Sequence, residues 1–220
     1  MTEHLNAKRR GPASGTARSL VIFLHGYGAD GSDLLGLADP LAPHMQDTVF
    51  VAPDAPERSA MNPMGFQWFP IPWIDGSSET EAGISMARSA DLLDAWLDAA
   101  MDAEGVPASR TILFGFSQGT MMSLHVGPRR AEPLAGIVGF SGRLMVPDRL
   151  DETVSKPPIL LVHGDADDVV SFDSMGAAEA ALTGAGFDVA SHVMPGTGHG
   201  IAPDGLSAAL SFMVGRLDLH

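Results

Sequence analysis

The chain has 220 residues, 45% of them apolar and none of them cysteine, and it sets 13 Lys and Arg against 27 Asp and Glu for a formal charge of −14. That length and apolar share suit one well-packed domain. The lack of cysteine excludes disulfides, thiolate metal sites and a thiol nucleophile, and fits a reducing, cytoplasmic setting. The acidic balance repels phosphate backbones and anionic headgroups, so neither nucleic acid nor stable membrane association is expected, and no apolar run reaches the length of a membrane span.

Residues 1–18 are polar and lack the apolar centre of a secretory signal. The Lys8-Arg9-Arg10 cluster within them suggests a frayed tail, with a single folded domain over 19–220. The run LVIFL at 20–24 predicts a first buried strand, 32–42 a helix and 48–52 a second strand. Residues 53–78 are interrupted by Pro53, Pro56, Pro63, Pro70 and Pro72, while Phe66, Trp68, Phe69 and Trp73 crowd together. A long loop with that much aromatic surface is usually functional. Over 79–103, Ile84, Ala87, Ala90, Leu93, Leu97 and Met101 recur near the helical period, with Asp91, Asp94 and Asp98 on a solvated face. Further strands are expected at 111–116, 134–140, 158–162 and, more weakly, 187–194, and further helices at 118–127, 172–185 and 203–216. Short apolar runs closed by turn residues suit strands buried on both faces. Their alternation with helices predicts an α/β fold with a mostly parallel central sheet flanked by helices on both faces.

The segment GFSQG at 115–119 raises the chemical question. With 25 glycines in the chain, a Gly-x-Ser-x-Gly match arises by chance in about one such chain in five, so the pentapeptide alone decides little. Its setting decides more, because an apolar strand runs in and a helical pattern runs out, as a nucleophile elbow requires. A serine hydroxyl needs a base, and the base needs an orienting acid. In a doubly wound fold both follow the serine at strand ends. The strand over 158–162 ends in HGDADDVV, which offers Asp165, Asp167 and Asp168. Of the later histidines, His220 is terminal and His192 lies inside a strand. His199, in the glycine-rich loop PGTGHGIAP, has the mobility a base needs. The Gln118 N–H at the helix start and the Tyr27 N–H, in the turn after FLHGYG, are the candidate donors for an oxyanion hole.

The motifs LHGYGADG at 24–31, PDAP at 53–56, GFSQG, HGDADDVV at 163–170 and GTGH at 196–199 resemble, in order and spacing, the carboxylesterase, lysophospholipase and acyl-protein thioesterase family of small serine α/β-hydrolases. The resemblance implies an α/β-hydrolase catalytic domain without an inserted lid domain, no cofactor and no metal. It implies Ser117 as nucleophile, Asp167 as the orienting acid and His199 as base. It also implies an oxyanion hole from the Tyr27 and Gln118 amides, and an acyl pocket lined by Phe66, Trp68, Phe69 and Trp73. Asp168 stands where the family commonly has proline, which keeps it open as an alternative acid; Tyr27 stands where leucine is more usual. The implied partner is a small-molecule ester of short to medium acyl chain, with lysophospholipids or acyl-protein thioesters as alternatives. A homodimer, common among the resembling bacterial enzymes, is left open.

His25 and His163 each end a strand before glycine, but they lack a metal-site spacing and suit structural hydrogen bonding. Ser141 in GFSGRL has Arg143 where an elbow needs glycine, and is expected to be a strand-end serine. Met121 and Met122 are expected to pack behind the elbow. A non-catalytic ligand-binding scaffold is the reading from another class; it predicts a damaged serine, acid or histidine, and all three are present.

Overall fold

A computed structural model describes residues 5–219; His220 and the start of the polar N-terminal stretch lie outside the described residues. Strand β1 (Ala7–Arg10) is followed by β2 (Ser19–Leu24) and β3 (Thr48–Pro53), a small hairpin of β4 (Glu57–Arg58) and β5 (Phe66–Gln67), and then β6 (Thr111–Phe116), β7 (Gly136–Phe140), β8 (Ile159–Gly164) and β9 (Val189–Met194). Seven of these form one sheet in the order β1-β3-β2-β6-β7-β8-β9, parallel throughout except for β1.

All six residues of β2 are buried, and their alternation explains why. Leu20, Ile22 and Leu24 pack on one face against Leu93, Trp96 and Leu97 of helix α4 (Glu79–Glu104). Val21 and Phe23 pack on the other against Leu34, Leu41, Ala209 and Met213. These last four come from α1 (Gly31–Leu35), α2 (Ala38–Leu41) and α7 (Pro203–Arg216). Both faces are therefore covered, which a continuous apolar strand requires. A buried side chain of this kind contributes about 1.5–3 kcal/mol relative to exposure. Helix α5 (Gln118–Val126) and α6 (Asp173–Gly184) complete the α4 side, and the short α3 (Pro72–Asp75) lies in the proline-rich segment. From β2 the chain turns to β3 on one side and later enters β6 on the other. The crevice between the C-terminal ends of β2 and β6 is therefore the switch point where α/β sheets bind ligands.

Four expectations differ from the structure. The Lys8-Arg9-Arg10 cluster is not a frayed tail: β1 caps the outer edge of β3, which would otherwise expose an unpaired ladder. Its cations bind Asp30 and Asp54 (Lys8), Glu104 (Arg9) and Asp39 (Arg10). The helix expected over 32–42 divides into α1 and α2 at Gly36 and Leu37. Helix α4 starts on a Ser78–Glu81 capping box and stops at Gly105 (φ 65°), close to its expected bounds, but its first turns are rotated from the expected stripe. Ala82, Met86 and Ser89 face inward and Ile84 is 68% exposed, because the Ser89 hydroxyl bonds the Trp68 carbonyl beneath it. On the outer face Asp94 and Asp98 are not merely solvated; both hold the buried Arg130 guanidinium.

Candidate active site

Ser117 sits between β6 and α5 with φ 53° and ψ −114°, a conformation that costs a non-glycine residue about 1–3 kcal/mol. The flanking glycines make the turn possible by allowing close approach. A β-carbon at Gly115 would overlap the Gly119 and Thr120 backbone, and one at Gly119 would overlap the Leu24 carbonyl. The turn is pinned by Ser117 N–H donating to the Phe140 carbonyl at 2.8 Å and by the Ser117 carbonyl accepting from Met121 N–H at 3.2 Å. Met121 and Met122 pack behind it, as expected.

As the first residue of α5, Gln118 has an N–H with no intrahelical acceptor. Its buried side chain does something the sequence does not announce: Oε1 accepts from Trp68 N–H at 2.8 Å and Nε2 donates to the Phe69 carbonyl at 2.7 Å. The elbow thereby fixes the aromatic loop. On the β2 side, a β-carbon at Gly26 would lie 3.3 Å from that of Ser117, so this turn rests against the serine. Gly28 N–H donates to the Phe66 carbonyl and Ala29 N–H to the Gly26 carbonyl, whereas the Tyr27 N–H makes no hydrogen bond to another described residue.

The expected acid and base meet across the ends of β8 and β9. His199 Nδ1 lies 2.8 Å from Asp167 Oδ2; a carboxylate only accepts, so Nδ1 carries the proton and Nε2 is left with its lone pair. The Asp167 side chain is buried and accepts more than this one bond. Its Oδ1 takes the Val169 and Val170 N–H groups at 2.9 Å each, and His163 Nε2 lies 3.2 Å from Oδ2 and 2.9 Å from the Val170 carbonyl. Burial pushes the Asp167 carboxyl up, but the donors from His199, Val170 and Val169 together outweigh it and hold it below the usual carboxylate range. Asp168 is exposed, and His199 bonds Asp167 instead. The loop bearing His199 is tied down by Gly196 N–H donating to Asp165 Oδ1 at 2.6 Å and Ala166 N–H donating to the Thr197 carbonyl.

Ser117, His199 and Tyr27 line one cavity of about 340 Å³, walled by Ile71, Trp73 and Ile74 from α3 and its approach and by Met121, Val169 and Val170. Of the four aromatic residues expected there, only Trp73 lines it. Trp68 is fully buried with its indole N–H on the His25 carbonyl, Phe69 is 4% exposed in the core, and Phe66 lies under the Arg58 guanidinium. The loop is divided: its first part is core and only its last turn faces the cavity. That turn is anchored by Asp75, which accepts from Tyr27 Oη at 3.1 Å and from Ile71 N–H at 2.8 Å.

His25 and His163 make structural hydrogen bonds, as expected. His25 Nδ1–H donates to the Gly26 carbonyl and Nε2 accepts from Ala55 N–H, and burial lowers its pKa. Ser141 directly follows β7 with φ 48°.

A strained serine elbow, a histidine held by a buried aspartate and one cavity shared by serine and histidine, mounted at the switch point of a doubly wound sheet, define an α/β-hydrolase. The chain belongs to the phospholipase/carboxylesterase family, which it matches over residues 11–215. It is 32% identical to acyl-protein thioesterase 1 of Neurospora crassa over 225 residues, 94% of this chain and 90% of that protein. It is 30% identical to the esterase YpfH of Escherichia coli K12 over 208 residues, covering 93% and 85%. Among solved structures it resembles that of esterase PE8, with 42% identity and a TM-score of 0.91 over 97% of this chain and 100% of that one. Among the described residues no helix is long and apolar enough to cross a membrane.

Proposed function

We propose that the protein is a serine carboxylesterase that cleaves small esters of short to medium acyl chain through an acyl-enzyme. The observation that carries this is the His199–Asp167 bond at 2.8 Å in the cavity that also exposes Ser117. In the reaction, Ser117 Oγ attacks the ester carbonyl carbon as its proton passes to His199 Nε2. Asp167 holds the imidazole in the Nδ1–H tautomer and stabilises the imidazolium. The Tyr27 and Gln118 N–H groups bind the tetrahedral oxyanion. Collapse expels the alkoxide, which takes the proton from His199 and leaves as the alcohol. Water then attacks the acyl-serine with His199 again as base, releasing the carboxylic acid and restoring Ser117. A cavity of about 340 Å³ lies at the small end for ligand sites, which favours modest acyl groups.

Ser117→Ala, assayed on 4-nitrophenyl butyrate, is expected to lose several orders of magnitude in kcat while remaining folded; near-parental turnover refutes the assignment. The names of several relatives favour a second reading, an acyl-protein thioesterase. A peptidyl S-acyl substrate cleaved with higher kcat/KM than every short ester selects it. We take the catalytic domain to include β1 as well as residues 19–220, and to act in the cytoplasm without nucleic acid.

A further inference from the structure

The Arg143 side chain makes neither an ion pair nor a hydrogen bond to another described residue, whereas Arg58 and Arg110, which also lack a carboxylate, donate to backbone carbonyls. Arg9, Arg18, Arg129, Arg130, Arg149 and Arg216 each face a carboxylate. Arg143 has no carboxylate partner among the described residues, although acids outnumber bases 27 to 13 in the chain. Its Nε is buried without a hydrogen-bond partner. Its guanidinium lies 4.7 Å from the centre of the Trp73 ring, the one expected aromatic that lines the catalytic cavity. A guanidinium stacked on an aromatic face is held flat, with its N–H edge free to take a carboxylate in bidentate fashion.

The backbone that presents Arg143 is also unusual. It lies between two non-glycine residues in the left-handed region, Ser141 (φ 48°) and Val146 (φ 40°). A β-branched residue seldom adopts such a φ, and strain of this kind persists where the surroundings enforce it. They do so here: Ser141 N–H donates to the Val162 carbonyl at 2.9 Å, and a β-carbon at Gly142 would meet the Ser117 carbonyl at 2.9 Å. The loop is therefore packed against the nucleophile elbow, with a cation placed one residue beyond the contact.

From these features we infer that Arg143, stacked on Trp73, forms an anion subsite that selects esters whose acyl chain ends in a carboxylate. This rests on the esterase reading of the cavity that Trp73 lines; Arg143 is not itself part of that lining and is reached across the Trp73 ring. The acyl chain lies along the wall of Ile71, Trp73 and Ile74, and its terminal carboxylate pairs with the unoccupied N–H edge. Asp33 also lines the cavity and repels an anion, so the carboxylate must be held close to Arg143 for attraction to prevail.

The test compares two 4-nitrophenyl esters of equal chain length, the monoester of adipic acid and the ester of hexanoic acid. The parent protein is expected to favour the anionic ester by about tenfold in kcat/KM, mainly through KM, with the preference shrinking as salt is added. In Arg143→Gln the ratio of the two is expected to fall to one or below, and in Arg143→Lys to an intermediate value, since the charge remains but the planar fork is lost. The ratio within each variant is insensitive to how much of it is folded. If the parent hydrolyses the hexanoate readily but shows no anionic preference, or if Arg143→Gln keeps that preference, the subsite is refuted and the esterase reading stands. If the parent hydrolyses neither ester, the esterase reading fails and the subsite with it.

Discussion

Replacing Asp167 by Asn tests the acid assignment most sharply, because the structure dictates what each amide orientation must do. The carboxylate serves the Val169 and Val170 N–H groups with Oδ1, and the imidazole of His199 with Oδ2. If Asn keeps its oxygen toward the two backbone donors, its NH2 faces His199 Nδ1. The imidazole must then move its proton to Nε2, which cannot take the Ser117 proton in the proposed reaction. If the amide flips, its NH2 opposes two backbone N–H groups at once, each left unsatisfied at about 1–3 kcal/mol. The first orientation is the cheaper and the catalytically damaging one. We expect kcat on 4-nitrophenyl butyrate to fall by about 10³- to 10⁴-fold, the scale of a triad forced into the wrong tautomer. KM should change little. A second readout follows from the depressed carboxyl pKa: the parent holds stability above the ordinary carboxylate range that is lost as pH falls through the lower folded value, and Asn removes that part of the acid transition. A variant within tenfold of the parent, or a larger loss in Asp168→Asn, overturns the argument.

Four further outcomes follow. Gly119→Ala drives a β-carbon into the Leu24 carbonyl and should destabilise the fold by more than about 4 kcal/mol, seen as loss of soluble protein or a collapsed melting temperature. Trp68→Ala and Trp73→Ala should separate the two halves of the aromatic loop. The buried indole should cost about 3–5 kcal/mol of stability in chemical denaturation, while loss of the 60% exposed Trp73 should leave the midpoint nearly unchanged and raise KM. Ser78→Ala breaks the α4 capping box and should cost about 1 kcal/mol in the same assay with normal kcat. His125 is held to about 4 by burial and then by Arg129 and Arg149, so on acidification the unfolded chain takes up its proton first and stability falls as pH drops from 6.5 toward 4. A shift of that size is worth roughly 3 kcal/mol at full value, and about 1–2 kcal/mol once solvent screening of the part-buried ring is allowed for. A His125→Gln variant should show a flatter melting-temperature profile across that window.

What was legible in the sequence follows a physical division. Strands buried on both faces announce themselves as continuous apolar runs, so β2, β3, β6, β7 and β8 stand within a few residues of expectation. β1 does not, because an edge strand with charged side chains pointing outward has no apolar pattern; the only local sign was a cluster of cations with acids scattered far along the chain to receive them. The serine elbow was legible because close backbone approach demands glycine at fixed offsets, and sequence records that demand directly. Asp167 and Asp168 are adjacent acids of equal chemistry. Only the fold shows that one accepts from three nitrogen donors while the other faces solvent.

The aromatic loop shows where composition stops being informative. Its four rings looked alike as candidates for the cavity, yet Gln118 draws the backbone of Trp68 and Phe69 into the core, and Asp75, tied to Tyr27, turns the chain so that Trp73 alone emerges. The first tether is the Gln118 side chain and the second is held by the Tyr27 hydroxyl, and these two residues also supply the proposed oxyanion donors, so the hole and the pocket wall share one set of contacts. A change at Tyr27 that spares the backbone amide therefore still reaches the wall. Tyr27→Phe, which removes only the hydroxyl bonded to Asp75, should alter KM and chain-length preference through Trp73 and Ile74 while leaving kcat on a short ester near the parent value. An equal fall in kcat and kcat/KM for all chain lengths would instead place the hydroxyl's effect in the transition state, and would separate the wall from the hole.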